Sequence, residues 1–251
     1  VNIVSDTGVV FAREIRPELR NPIGLLFGMI QPLIFLALFG PLLPGTPGGG
    51  QTSPWQWFVP GIVVMLGLSG TGSAGYYLLV EGGGGSLERM LVTPLNRTAM
   101  LVGRTMKEIV TLLAQAALII VVVLPFGFRP HLLGTVAGLL VLAVLGVGLG
   151  SFSFALALAA RRQPSIFYGV QQTLLFPLML LSGVLLPVEN APSWLYGMAR
   201  ANPVTYVVEA ERALFAGDLA HPSVPYGVAA AVVVALAGLA VGTRGMRRAS
   251  L

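Results

Sequence analysis

Six transmembrane helices in an all-α, polytopic membrane protein are expected from three properties of this 251-residue chain. Hydrophobic residues make up 55% and charged residues only 10%, whereas a soluble globule carries roughly a quarter charged residues. The mean hydropathy of +0.83 agrees. The sequence also holds six charge-free stretches, about Pro22–Leu43, Trp57–Val80, Ile109–Phe128, Leu132–Ala160, Pro164–Leu186 and Tyr226–Thr243. Each approaches or exceeds the ~20 residues that cross a bilayer as a helix. A charge at the bilayer centre costs roughly 2.5–3.5 kcal/mol on insertion scales, which is why such runs mark spans. They lack the alternating polar period of barrel strands, so helices satisfy their backbone groups. Finally, the basic residues sit at the ends of the runs rather than in a stripe.

Residues 1–21 form the first segment. Phe11, Ile15 and Leu19 recur every four residues, and Arg13, Arg16 and Arg20 cluster on the other side of a helical wheel. This pattern fits an N-terminal interfacial helix, although Pro17 opposes it by removing a hydrogen bond; a simple positive-inside anchor is the alternative. The segment is polar and charged, unlike a cleavable leader. Residues 22–186 carry spans one to five, within which 81–107 is a long connection. There Gly82–Gly85 free the chain after span two, Ser86 caps a short helix with Glu88 in its first turn, and Pro94 stops it. Leu87, Met90 and Leu91 share one face, leaving Glu88 and Arg89 to water, headgroups or a partner.

In span four Gly134/Gly138 and Gly146/Gly150, and in span six Gly238/Gly242, have the four-residue spacing that lets helices approach closely, within one subunit or between two. Ser69, Ser73, Ser151, Ser153 and Ser182 lack acidic or histidine partners and read as interhelical hydrogen-bonding groups. Gln31, Tyr168, Gln171 and Gln172 are polar groups that face either a route through the membrane or a neighbouring helix. In residues 187–225, Asn202 and Pro203 read as N-cap and first helical position of a helix through Leu214. Trp194, Leu195, Tyr196 and Met198 form a shorter helical segment before it, with aromatics suited to the membrane interface. For Glu209, Glu211 and Arg212 the sequence favours solvated surface charge over a gate role. Span six, 226–243, and a basic tail, 244–251, complete a single domain over 1–251.

Twelve of the fifteen Lys and Arg residues precede span one, join spans two and three or four and five, or follow span six; only Arg129, Arg200 and Arg212 fall on the other side. The positive-inside rule then puts both termini in the cytoplasm. The same distribution turns the net charge of +5 away from nucleic acid and towards topology. With no cysteine and two histidines, His131 and His221, no metal site is expected. No phosphate-binding G-x-x-x-x-G-K-[ST] loop exists, because Thr105 and Met106 precede the only lysine, Lys107. No carboxylate or histidine is visible at mid-span, which argues against a proton-coupled carrier.

The segment GSLERMLVTPLNRTAMLVGR, together with LLSGVLLPVENAPSWLYGMARANPVTYVVEAERALF, closely resembles the ABC-2 family of transporter permeases, especially its daunorubicin-resistance-type drug exporters, over essentially the whole chain. The resemblance implies that the loop between spans two and three carries a cytoplasmic coupling helix docking on an ABC ATPase subunit, with Glu81, Leu87, Glu88, Arg89, Leu91 and Pro94 as contact positions. The glycine run departs from the usual approach to that helix. The resemblance further implies outer re-entrant helices over Pro192–Ala201 and Asn202–Leu214, with Trp194, Asn202, Pro203 and Glu209 as outer gate positions. By the same resemblance the chain binds no cofactor, ATP and Mg belong to the partner ATPase, a second permease completes a homodimer or heterodimer, and the complex resides in the plasma membrane. A gradient-driven carrier and a non-transport scaffold are the rival classes.

Overall fold

The computed structural model describes residues 3–21, 23–40, 53–83, 97–161, 163–188 and 191–248. Among them are ten α-helices and no strand: α1 Ile3–Arg20, α2 Ile23–Phe39, α3 Pro54–Gly72, α4 Ala74–Gly83, α5 Arg97–Val123, α6 Leu132–Ala159, α7 Pro164–Leu181, α8 Ser193–Ala201, α9 Pro203–Ala216 and α10 Ser223–Arg248. Five helical runs are long and apolar enough to cross a membrane, Pro54–Leu79, Val102–Phe126, Leu132–Ala159, Pro164–Leu181 and Ser223–Gly245; α1 and α2, bent by 75° at their junction, make a sixth if counted as one span. Of the expected first span, α2 covers Ile23–Phe39 and counts as membrane-crossing only together with α1; Pro22 and residues 41–43 lie outside the described residues.

Helix α3 forms the centre of the bundle, most of its residues being buried, whereas Phe167 is the one buried residue of α7. Phe58, Ile62 and Met65 of α3 join Leu112 and Ile119 of α5, Leu142 and Leu145 of α6, and Val207, Val208 and Phe215 of α9 in one apolar core. Close backbone approach makes the α6 contacts possible. A Cβ at Gly134 would meet the Leu214 carbonyl of α9, and one at Gly238 of α10 would meet the Gly148 carbonyl. Of the glycine pairs, Gly134, Gly138, Gly146 and Gly238 therefore pack inside the subunit.

Four boundaries differ from the sequence reading. Helix α4 continues through Gly82 and Gly83, because a glycine costs a helix about 1 kcal/mol without breaking it. Helix α5 begins at Arg97, within the stretch read as a loop up to Lys107. Span five ends at Leu181, five residues short of expectation, where the chain turns through Ser182 and the positive φ of Gly183 (+75°). Helix α10 overruns both ends of its charge-free stretch. The span expected over Trp57–Val80 is interrupted at Ser73, where the α3 ladder closes with a turn onto Ser69 and Gly70 before α4 begins.

Candidate functional site at the two ends of the bundle

The helix ends gather into two groups. At the basic end, α1 lies along the start of α5 and buries Val10 against Gly103. Two acids one turn apart on α1 face two bases one turn apart on α5. Arg104 Nη2 stands 3.3 Å from Glu14 Oε1, and Lys107 Nζ stands 2.9 Å from Glu18 Oε2 and 3.0 Å from Glu108 Oε1. Thr111 Oγ1 donates to Glu18 at 3.0 Å, and the Lys107 ammonium lies 5.2 Å from the centre of the Tyr77 ring. These charges are largely withdrawn from water, so each depends on its partner. The helical N-terminal segment is present despite Pro17, with Arg13, Arg16 and Arg20 exposed. The sequence reading missed this bracket. Its signal was the matched spacing of Glu14/Glu18 and Arg104/Lys107, which lets two parallel helix faces pair.

Above the bracket a cavity of about 290 Å³ opens between α1, α2, α3 and α5, lined by Glu18, Gln31, Ser73, Lys107, Thr111 and Gln115 among others. Gln115 donates to the Leu25 carbonyl at 2.9 Å. The break at Ser73 is tied to two neighbours: Gln171 Nε2 of α7 donates to Ser73 Oγ at 2.7 Å, and Ser153 of α6 donates to the Gly72 carbonyl and accepts from Gly75 N at 2.8 Å. Ser73 and Ser153 thus bond between helices as expected. Ser69, Ser151 and Ser182 instead return to carbonyls of their own segments, Met65, Val147 and Met179. Gln172 is exposed, and the Tyr168 ring packs on Tyr76 at 5.2 Å.

At the opposite end, α8 and α9 cover the bundle. Asn202 caps α9, accepting from Val204 N at 3.0 Å, with Pro203 as its first residue; its amide also donates to the Leu178 carbonyl of α7 at 2.7 Å. The helix closes at Gly217 (φ +90°) after Ala216. On α8, Trp194, Tyr196 and Met198 are exposed. Glu209 pairs with Arg200 at 3.3 Å, and Arg200 Nε donates to Tyr196 Oη at 3.0 Å. Arg212 joins three elements: its guanidinium lies 3.8 Å from the centre of the Trp57 ring, and it donates to the carbonyls of Trp57 at 3.1 Å and Gly183 at 2.7 Å.

Glu211 corrects the sequence reading. It is not a solvated charge but 0% exposed, with neither carboxyl oxygen hydrogen-bonded to any described residue and one oxygen against Gly138 of α6. Burial pushes its pKa up to about 8. The signal was legible: Val204, Val207, Val208, Leu214 and Phe215 form a helical apolar stripe, and position 211 falls within it. Glu209 lies on a different face and finds Arg200.

Of the expected coupling positions, Leu87, Glu88, Arg89, Leu91 and Pro94 lie outside the described residues. Glu81 is in the last turn of α4, at the end of the bundle from which α5 returns. A model of the ABC-2 type transporter family matches residues 6–216. The chain belongs to that family. This ABC-2 permease is 28% identical over 198 residues to the daunorubicin resistance ABC transporter permease DrrB1 of Streptomyces coeruleorubidus, covering 78% of this chain and 70% of the relative. It is 31% identical over 201 residues to the putative transport permease ycf38 of Cyanophora paradoxa, covering 78% and 69%. It is also 25% identical over 235 residues to the probable doxorubicin resistance ABC transporter permease DrrC of Mycobacterium tuberculosis, covering 90% and 83%. The permease is therefore a multi-pass transmembrane component of an ABC transporter.

Proposed function

We propose that this permease is the membrane half of an exporter that moves an amphipathic or hydrophobic substrate, such as a drug, natural product, lipid or glycoconjugate, out of the cytoplasm or membrane. ATP and Mg bind on a separate ATPase subunit, two copies of which sit beneath a permease homodimer or a heterodimer with a similar chain. The complex lies in the plasma membrane with both permease termini cytoplasmic. The likeness to drug-resistance permeases supports this reading.

The structural observation that carries it is the bracket on α5. The segment 84–96 leads directly into α5, and Glu14–Arg104 and Glu18–Lys107 fasten α1 to that helix. A push delivered by the ATPase to Glu88 and Arg89 would move α5 and α1 together. Through α3, which packs on α5, and Arg212, which spans from α9 to Trp57 of α3, the motion reaches the cap.

The test is co-purification of the permease with its ATPase subunit and measurement of transport-coupled ATP hydrolysis, in the native complex and with Glu88→Ala plus Arg89→Ala. The double variant is expected to lose subunit association or coupled hydrolysis. Native ATP-dependent export by that variant would overturn the coupling assignment.

A further inference from the structure

Beyond this transport reading, and independently of it, we propose that Glu211 is a proton-binding site that acts as a proton-dependent latch of α9 on α6: the closed cap accepts the carboxyl only as the neutral acid, and ionisation releases it. The geometry leaves little alternative for the charged form. The side chain is fully enclosed and neither oxygen has a hydrogen-bond partner among the described residues. On one side it touches Gly138, where even a methyl group would also stand 2.8 Å from Phe215 Cε2. Cut off from bulk solvent and with no hydrogen-bond or ion-pair partner among the described residues, an ionised carboxylate there is strongly disfavoured unless the group moves.

The neighbouring titratable and charged groups are otherwise engaged. On α9 itself, Glu209 is held by Arg200 of α8, Arg212 by Trp57 and Gly183, and Tyr206 donates to the Arg200 carbonyl. From α8, Tyr196 is bonded to Arg200. At the start of α6, His131 accepts from Gly134 N and its ring lies against Gly217. Before α10, His221 is bonded to Ser223, and Tyr226 packs on Tyr206. The outer parts of α3 and α7 that meet α9, 53–62 and 178–182, carry no Asp, Glu, His, Lys, Arg or Tyr. Desolvation of the Glu211 carboxyl acts in favour of the proton.

The linkage has a definite sign. The acid is held above its ordinary value of 4.5, at about 8, in the closed cap, whereas an opened cap exposes it to water. Closure is therefore most favourable at low pH and weakens as pH rises from the ordinary carboxyl range through about 8. Over that window the open-to-closed ratio rises by up to about tenfold per pH unit.

The chain has no cysteine, so a single thiol reports the motion cleanly. The probe is Val208→Cys, one turn before Glu211 on the same buried face, in the permease–ATPase complex in nanodiscs, reacted with a charged maleimide from pH 6 to 8.5. Rates are divided by those of the exposed Trp194→Cys to remove the thiol's own titration. The expected result is a normalised rate that climbs at least tenfold in the Glu211 protein and stays flat with Glu211→Gln, which mimics the neutral acid. A flat profile with Glu211, or the same climb with Glu211→Gln, overturns the proposal. Hydrogen exchange of residues 203–216 in the unaltered complex gives a variant-free check: protection that falls with pH beyond the intrinsic rate supports the latch, and protection independent of pH overturns it.

Discussion

Removing Arg212 should loosen the cap by detaching α9 from α3 and from the turn after α7. Its guanidinium donates to Trp57 O at 3.1 Å and to Gly183 O at 2.7 Å, and stacks 3.8 Å from the Trp57 ring centre. Charge-assisted bonds contribute about 1.5–3 kcal/mol each and a partly exposed cation–π contact about 1 kcal/mol. The side chain is only half-buried, so the lower ends apply and Arg212→Ala should cost about 3–4 kcal/mol. At roughly 2–4 °C per kcal/mol for a chain of this size, the unfolding midpoint falls by about 6–16 °C. Arg212→Lys keeps the charge but not the planar fork that reaches both carbonyls, so about half of the loss remains. The assay is thermal unfolding of the purified complex followed by intrinsic tryptophan fluorescence, with Trp57 itself a reporter. An Arg212→Ala midpoint equal to that of the native protein, or equal to that of Arg212→Lys, would refute the idea that the fork joins α9, α3 and the α7–α8 turn.

Asn202→Ala removes the α9 cap and the bond to Leu178 O and should cost about 2 kcal/mol; Asn202→Asp keeps the cap and should fall between, both read as midpoint shifts. Gly134→Ala drives a methyl into the Leu214 carbonyl and should destabilise by about 1–3 kcal/mol, whereas Gly150→Ala meets nothing within 4 Å and should be neutral or gain up to about 1 kcal/mol of helix propensity. Lys107→Met leaves Glu18 and Glu108 without their cation and should cost about 3 kcal/mol or more. Adding Glu18→Gln and Glu108→Gln should restore most of the folded, monodisperse protein in size-exclusion chromatography.

The membrane-crossing helices were legible because the chain keeps charge out of them; α6 and α7 begin at Leu132 and Pro164, where their charge-free runs do. The Asn202–Pro203 helix start was legible for the same local reason, a cap side chain beside a residue with fixed φ. What escaped was tertiary. Arg97, Arg104 and Lys107 read as loop because a single sequence does not show that α1 supplies Glu14 and Glu18 to two of those bases. The interruption at Ser73 depends on Ser153 and Gln171, about eighty and one hundred residues away in sequence. Glu211 was misread for a different reason: composition treats every glutamate alike, whereas the stripe from Val204 to Phe215 assigns position 211 to the core. Periodicity outranked residue type there.

The central claim, that an ATPase subunit drives this permease through the segment between α4 and α5, meets its most direct test in a crosslink. A Glu88→Cys permease, otherwise free of cysteine, is assembled with the ATPase subunit and treated with a short thiol-to-amine crosslinker, with Trp194→Cys as the control at the other end. A permease–ATPase adduct is expected from position 88, altered in yield by ATP, and none from position 194. An assembled complex that gives no adduct at 88, or gives it at 194, would contradict it.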